Sequence, residues 1–140
     1  MKLEPFINFG GQCREALEFY AAVFNSKAEG IMTYGDAPAD QGYKVPEADR
    51  ERIMYSQIPI GGCNVMFCDA PSGMPVEAGN NIALTVGSED KDEIRRVFDA
   101  LKEGGEVEME LRETFFSGLF GMVTDKFGII WQISHDSGRH

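Results

Sequence analysis

The feature that most constrains this chain is an order of elements that runs twice. Residues 3–11 read as a strand. Cys13, Ala16, Leu17, Tyr20 and Phe24 then recur at helical spacing, which predicts an amphipathic helix over 12–24. Strands are expected at 28–34, 52–60 and 63–68, the last two joined by a tight Gly61-Gly62 turn. The order β-α-β-β-β then returns. Residues 81–86 are apolar and β-prone. Ser88 is the expected N-cap of a second helix, and Glu89, Asp90, Asp92 and Glu93 place negative charge at the positive end of its dipole. Ile94, Val97, Phe98 and Leu101 make one helix face, and Gly104-Gly105 ends it. Residues 106–112 alternate, with Val107, Met109 and Leu111 on one side and Glu106, Glu108 and Glu110 on the other, the mark of a half-buried strand with a solvated face. Strands at 119–124 and 129–134, joined by an Asp125-Lys126-Phe127-Gly128 turn, complete the second module.

One helix followed by three closely spaced strands favours antiparallel meanders over a doubly wound parallel sheet. Phe9-Gly10-Gly11-Gln12 is too short to read as a phosphate-binding loop. The expected fold is therefore α+β, a single domain over 1–140 made of module one at 3–70, a linker at 71–80 and module two at 81–135. Residues 36–50, polar and holding Pro38, Gly42 and Pro46, are expected to form a long loop, either a lid or a poorly ordered segment. Residues 135–140 are expected to fray.

Composition narrows the function classes. Hydrophobic residues make up 43% and include ten Phe, enough for a packed core. A formal net charge of −10 repels phosphate backbones, which argues against nucleic acid as a partner. No apolar run approaches the roughly 20 residues of a membrane span. Patterned sequence begins at once, without the apolar core of a signal peptide, so a cytoplasmic location is expected. Cys13, Cys63 and Cys68 are an odd set that argues against a disulfide framework. Cys63 and Cys68, five apart on one strand, point to opposite faces and would not share a zinc ion.

The doubled βαβββ order resembles the vicinal oxygen chelate superfamily, which holds glyoxalase I, extradiol dioxygenases and the bleomycin- and fosfomycin-resistance proteins. The local sequence is similar to its PhnB-like branch. The similarity is carried by Phe6-Ile7-Asn8-Phe9-Gly10-Gly11, by Glu15-Ala16-Leu17-Glu18-Phe19-Tyr20 with Val23-Phe24, and by Ile31-Met32-Thr33-Tyr34-Gly35-Asp36. It continues in Phe120-Gly121-Met122-Val123-Thr124-Asp125-Lys126-Phe127-Gly128 and Trp131. That branch often carries the label "3-demethylubiquinone 3-methyltransferase-like", yet no glycine-rich S-adenosylmethionine loop is present.

The resemblance implies a curved mixed sheet with a concave cup and a symmetric homodimer. It also implies where a catalytic metal would sit: on the first and last strands of each module, at Glu4 or Pro5, Phe67, Asn81 and Gln132. At most one of these is an anionic ligand, so neither a metal nor any other cofactor is expected. Phe6, Asn8, Phe67, Asn81 and Gln132 are instead expected to line the cup, apolar walls with a few amides, as small-molecule pockets are lined. Tyr55 stands where PhnB-like proteins commonly carry His, and Phe115 and Phe116 where the family often has an aromatic pair. Each has a plainer role beside this one: core packing for the phenylalanines, a half-exposed strand aromatic for Tyr55, a structural hydrogen bond for Asn81 and Gln132. Trp131, out of phase with Gln132, is expected under a helix, and Asp125 in its turn. The expected function is binding of a small molecule of unknown identity. The alternatives are a metal-free enzyme, either a lyase or isomerase or the methyltransferase of the family label, whose candidate bases are Tyr55, Glu4 and Asp69, and an interaction module whose cup is filled by Phe67 and Met66.

Overall fold

Both helices form where apolar spacing places them. The computed structural model describes residues 1–36 and 44–136. Positions 37–43 of the expected lid and 137–140 of the expected tail lie outside the described residues. Helix α1 (Cys13–Val23) buries Cys13, Ala16, Leu17, Tyr20 and Val23. Val23 takes the place expected of Phe24, because the helix ends there and Phe24 is its C-cap. Helix α2 (Lys91–Leu101) buries Ile94, Val97, Phe98 and Leu101. Its N-cap is Asp90 rather than Ser88. Asp90 Oδ1 accepts the Asp92 amide at 2.9 Å and the Glu93 amide at 3.4 Å, while Ser88 Oγ accepts the Asp90 amide at 3.1 Å. Among the described residues no helix is long and apolar enough to cross a membrane.

The chain divides into two compact units, Met1–Glu77 and Ala78–His140. The first holds β1 (Phe6–Phe9), α1, β2 (Glu29–Thr33), β3 (Ile53–Ile60) and β4 (Cys63–Asp69), with strands in the order β1-β4-β3-β2. The second holds β5 (Ala83–Ser88), α2, β6 (Glu106–Arg112), β7 (Phe120–Thr124) and β8 (Ile130–His135), in the order β5-β8-β7-β6. In each unit the first strand lies parallel to the last and the other pairings are antiparallel. Two βαβββ modules in an α+β fold are thus borne out, each module building its own mixed sheet.

Two strands start later than the pattern suggests. β1 begins at Phe6, after Pro5, which has no amide to give to a ladder. β5 begins at Ala83, which leaves Asn81 and Ile82 ahead of the strand. The β3–β4 register is fixed by the two-residue turn: Ile60 pairs Cys63 across Gly61 and Gly62, whose φ values of 56° and 81° suit glycine at both turn positions.

In the first unit the ring of Phe67 lies between Phe9 and Tyr20, with centroids 6.3 and 5.4 Å away and near-parallel planes. Each such fully buried ring stabilises the fold by about 1.5–3 kcal/mol. In the second unit Trp131, Phe98, Ile94, Leu101, Val123 and Ile133 are buried, so Trp131 packs on the helix side as its phase predicts. Asp125 closes the β7–β8 turn as expected: Oδ1 accepts the Phe127 amide at 2.9 Å and the Ile129 amide at 3.1 Å. Its Oδ2 also accepts the Trp131 Nε1 proton at 2.8 Å, a tie that spacing alone did not show.

Candidate functional site

Strand alternation gives the first sheet one face against α1 and one free of helix. Toward α1 point Phe9 from β1, Ser56, Ile58 and Ile60 from β3, and Val65, Phe67 and Asp69 from β4, all buried. The helix-free face carries Phe6 and Asn8, Tyr55 and Gln57, and Asn64, Met66 and Cys68. Contacts across that face agree with the assignment. The Phe6 and Tyr55 rings meet edge to face at 6.2 Å. The Cys68 thiol donates to Asn8 Oδ1 at 2.9 Å. Its pKa is raised, first by burial and then by the Asp69 carboxylate.

A polar cluster occupies the middle of this face. Tyr55 Oη donates to Gln57 Oε1 at 3.0 Å, and Asn64 Nδ2 donates to the same oxygen at 2.7 Å. All three side chains are half-buried. Strand patterning alone does not single out Gln57 and Asn64. The signal was present: Gln57 follows Tyr55 by two on one strand, and the Gly61-Gly62 turn sets Asn64 diagonally across from it.

The remaining candidates do not all gather. Phe67 is a correction. It is 0% exposed and packs under α1, because the helix-free positions of β4 are Asn64, Met66 and Cys68, one residue out of phase with it. Asn81 is a second correction: it lies exposed on a bend before β5, not on the strand. Gln132 does occupy the helix-free face of the second sheet, where it is paired with Thr85 and Met122 and Thr85 Oγ1 donates to its Oε1 at 3.2 Å. Phe115 and Phe116 sit between β6 and β7, 101% and 60% exposed, in an edge-to-face run with Phe120 at 5.2 and 5.1 Å. Glu108 accepts from Thr124 Oγ1 at 3.1 Å on an exposed strand face.

The groups that the fold family implies do not fit the residues present. Of the four metal positions, Phe67 is core and offers no donor, Asn81 and Gln132 are neutral amides, and Glu4, its Oε1 3.8 Å from Lys2 and its Oε2 buried without a hydrogen-bond partner among the described residues, is the one carboxylate. Among the described residues no three His, Cys, Asp or Glu side chains form a metal-holding group. Nor does the turn from β1 into α1 offer an anion site for a cofactor. Its Gly11 and Cys13 amides both donate to Asp69 Oδ1 at 2.9 Å, so the helix N-terminus already holds a carboxylate. Asp69 Oδ2 accepts the Ile53 amide at 3.0 Å. That structural duty takes Asp69 out of the set of candidate bases.

The chain matches the family described as 3-demethylubiquinone-9 3-methyltransferase over residues 1–134. It is 31% identical over 144 aligned positions to Protein YjdN of Escherichia coli (strain K12), covering 96% of this chain and 95% of that protein. The solved structure of protein PA1353 from Pseudomonas aeruginosa is 30% identical, with a TM-score of 0.86 over 97% of this chain and 98% of that one. The PhnB protein from Bacillus cereus, described as a putative 3-demethylubiquinone-9 3-methyltransferase, is 26% identical, with a TM-score of 0.79 over 97% of this chain and 100% of that one.

Proposed function

The chain belongs to the 3-demethylubiquinone-9 3-methyltransferase family, in its PhnB-like branch, and from that premise we propose that it binds a small organic molecule on the helix-free face of its first sheet, without a catalytic metal. The observation that carries this reading is the cluster of Phe6, Tyr55, Gln57 and Asn64, rings beside half-buried amides. Aromatic walls hold a ligand by area, and a few fixed polar groups orient it. Thermal melting of the untagged protein against a broad compound library tests it. A ligand-dependent rise in Tm that a Tyr55→Ala, Gln57→Ala double variant loses supports the reading, because binding to the native state alone raises apparent stability. A library that leaves Tm unmoved overturns it.

The family's description favours a second reading, methyl transfer. It needs a methyl donor and a base. The candidate bases are Tyr55 and Glu4. Calorimetry with S-adenosylmethionine separates the two readings: saturable binding supports the transferase, and no heat supports the binding protein. Elemental analysis of protein expressed with supplementary transition metals tests the metal-free part, and a stoichiometric metal overturns it. The exposed Phe115 and Phe116, continued by half-buried Phe120, support a homodimer, since apolar area of that kind is commonly covered by a partner.

A further inference from the structure

The three-residue cluster on β3 and β4 constrains the chemistry of what it binds, an inference that rests on the small-molecule reading above. Gln57 Oε1 accepts from both Tyr55 Oη and Asn64 Nδ2. The Gln57 Nε2 protons and the Asn64 Oδ1 lone pairs then have no partner among the described residues. Turning both carboxamides by 180° exchanges oxygen for nitrogen and preserves both contacts, since Tyr55 can equally accept. In that state Gln57 Oε1 and Asn64 Nδ2 are the free ends. Either way the pair presents one N–H end and one carbonyl end.

The surroundings are neutral to acidic. None of β1 to β4 contains a Lys or Arg. Glu29 pairs directly with Gln57 across β2 and β3, and Met32 pairs with Tyr55. Residues opposite one another share a face, so a carboxylate stands beside the amide pair and an apolar side chain beside the ring. An anionic ligand would meet Glu29 without a compensating cation and would leave the carbonyl end unpaired.

We infer that this face recognises a neutral, flat ligand whose edge carries an adjacent N–H and C=O, a lactam or carboxamide lying against Phe6 and Tyr55. The probes are 2-quinolone, a fused-ring lactam; 1-methyl-2-quinolone, which lacks the N–H; quinoline-2-carboxylate; and naphthalene. Titration calorimetry on the full chain should show 2-quinolone binding roughly fivefold or more tighter than each of the other three, the worth of about one hydrogen bond. Gln57→Glu keeps an oxygen for Tyr55 and Asn64 but removes the free N–H, so it should fold and lose the preference. Asn64→Leu should lose it as well, with circular dichroism as the folding control. Equal binding of 2-quinolone, its N-methyl derivative and naphthalene overturns this inference while the small-molecule reading stands. Preference for the carboxylate overturns it too. Binding of none of the four, with a library compound still raising Tm, overturns it alone. Silence from both the probes and the library overturns both readings.

Discussion

The Cys13 amide donates to Asp69 Oδ1 at 2.9 Å across a separation of 56 residues. The last residue of β4 thereby caps the first turn of α1, while Gln12, the residue in the N-cap position, makes no side-chain cap. One carboxylate holds three things in register: the turn leaving β1 through Gly11, the start of α1 through Cys13, and the start of β3 through Ile53. Its own backbone carbonyl accepts the Tyr34 hydroxyl at 2.7 Å.

Replacing Asp69 with Ala strands three backbone donors, two at buried sites and one at a half-buried site. Each stranded donor costs about 1–3 kcal/mol, so the loss should exceed about 3 kcal/mol, a large part of a total of about 5–15. Asp69→Asn, which keeps one oxygen, should lose less. Urea unfolding measures both. Equal stability of Asp69→Ala and the parent would refute the capping role.

The same carboxylate bears on the thiol beside it. Burial first, and then the Asp69 charge, push the Cys13 pKa from 9.0 up to about 12. The neutral thiol is therefore favoured by folding. Its contribution to stability is fully present below pH 9.0, the unfolded value, and disappears as pH rises toward 12. The stability difference between the parent and Cys13→Ala should shrink across that window and be constant below it. Native labelling with iodoacetamide at pH 8 should modify exposed Cys63 and leave Cys13 and Cys68 intact.

How far the sequence could be read follows from which interactions are local. The α2 face, the Gly61-Gly62 hairpin and the alternating glutamates of β6 depend on neighbours within a few residues, and all stand where periodicity puts them. The errors come from long-range register. Counting along the sequence matches Phe67 to Gln132 as the last-strand position. Pairing instead sets Met66 beside Phe6 and Gln132 beside Thr85, so the equivalent residue is one earlier. That single step moves Phe67 from an open face to the core. Asn81 failed for a different reason, since the strand begins only at Ala83, and strand ends are weakly encoded. Phe6, Asn8 and Tyr55 lie on the face that alternation predicts, whereas Gln57 and Asn64 become visible only once the hairpin register is applied.

Asp125 and Trp131 make a second test. Trp131 is the single tryptophan, so its fluorescence reports the second unit alone. Asp125→Ala removes the acceptor for the indole N–H and for the Phe127 and Ile129 amides. The expected loss is about 3 kcal/mol or more, with emission shifted to the red as the turn opens. Asp125→Asn should retain part of the turn. Unchanged emission and unchanged stability in Asp125→Ala would show that the turn stands without its carboxylate.

Phe115 and Phe116 separate folding from assembly. Both rings are exposed within one chain, so a Phe115→Ser, Phe116→Ser variant should melt within about 0.5 kcal/mol of the parent when both are monomeric. If a second copy covers them, each ring contributes about 1.5–3 kcal/mol to the interface, and the dissociation constant should rise roughly 100-fold or more. Light scattering at micromolar concentration reads the outcome: a dimeric parent and a monomeric variant. A parent that is already monomeric removes the dimer. A dimeric variant places the interface elsewhere, and the aromatic run is then surface left for another partner.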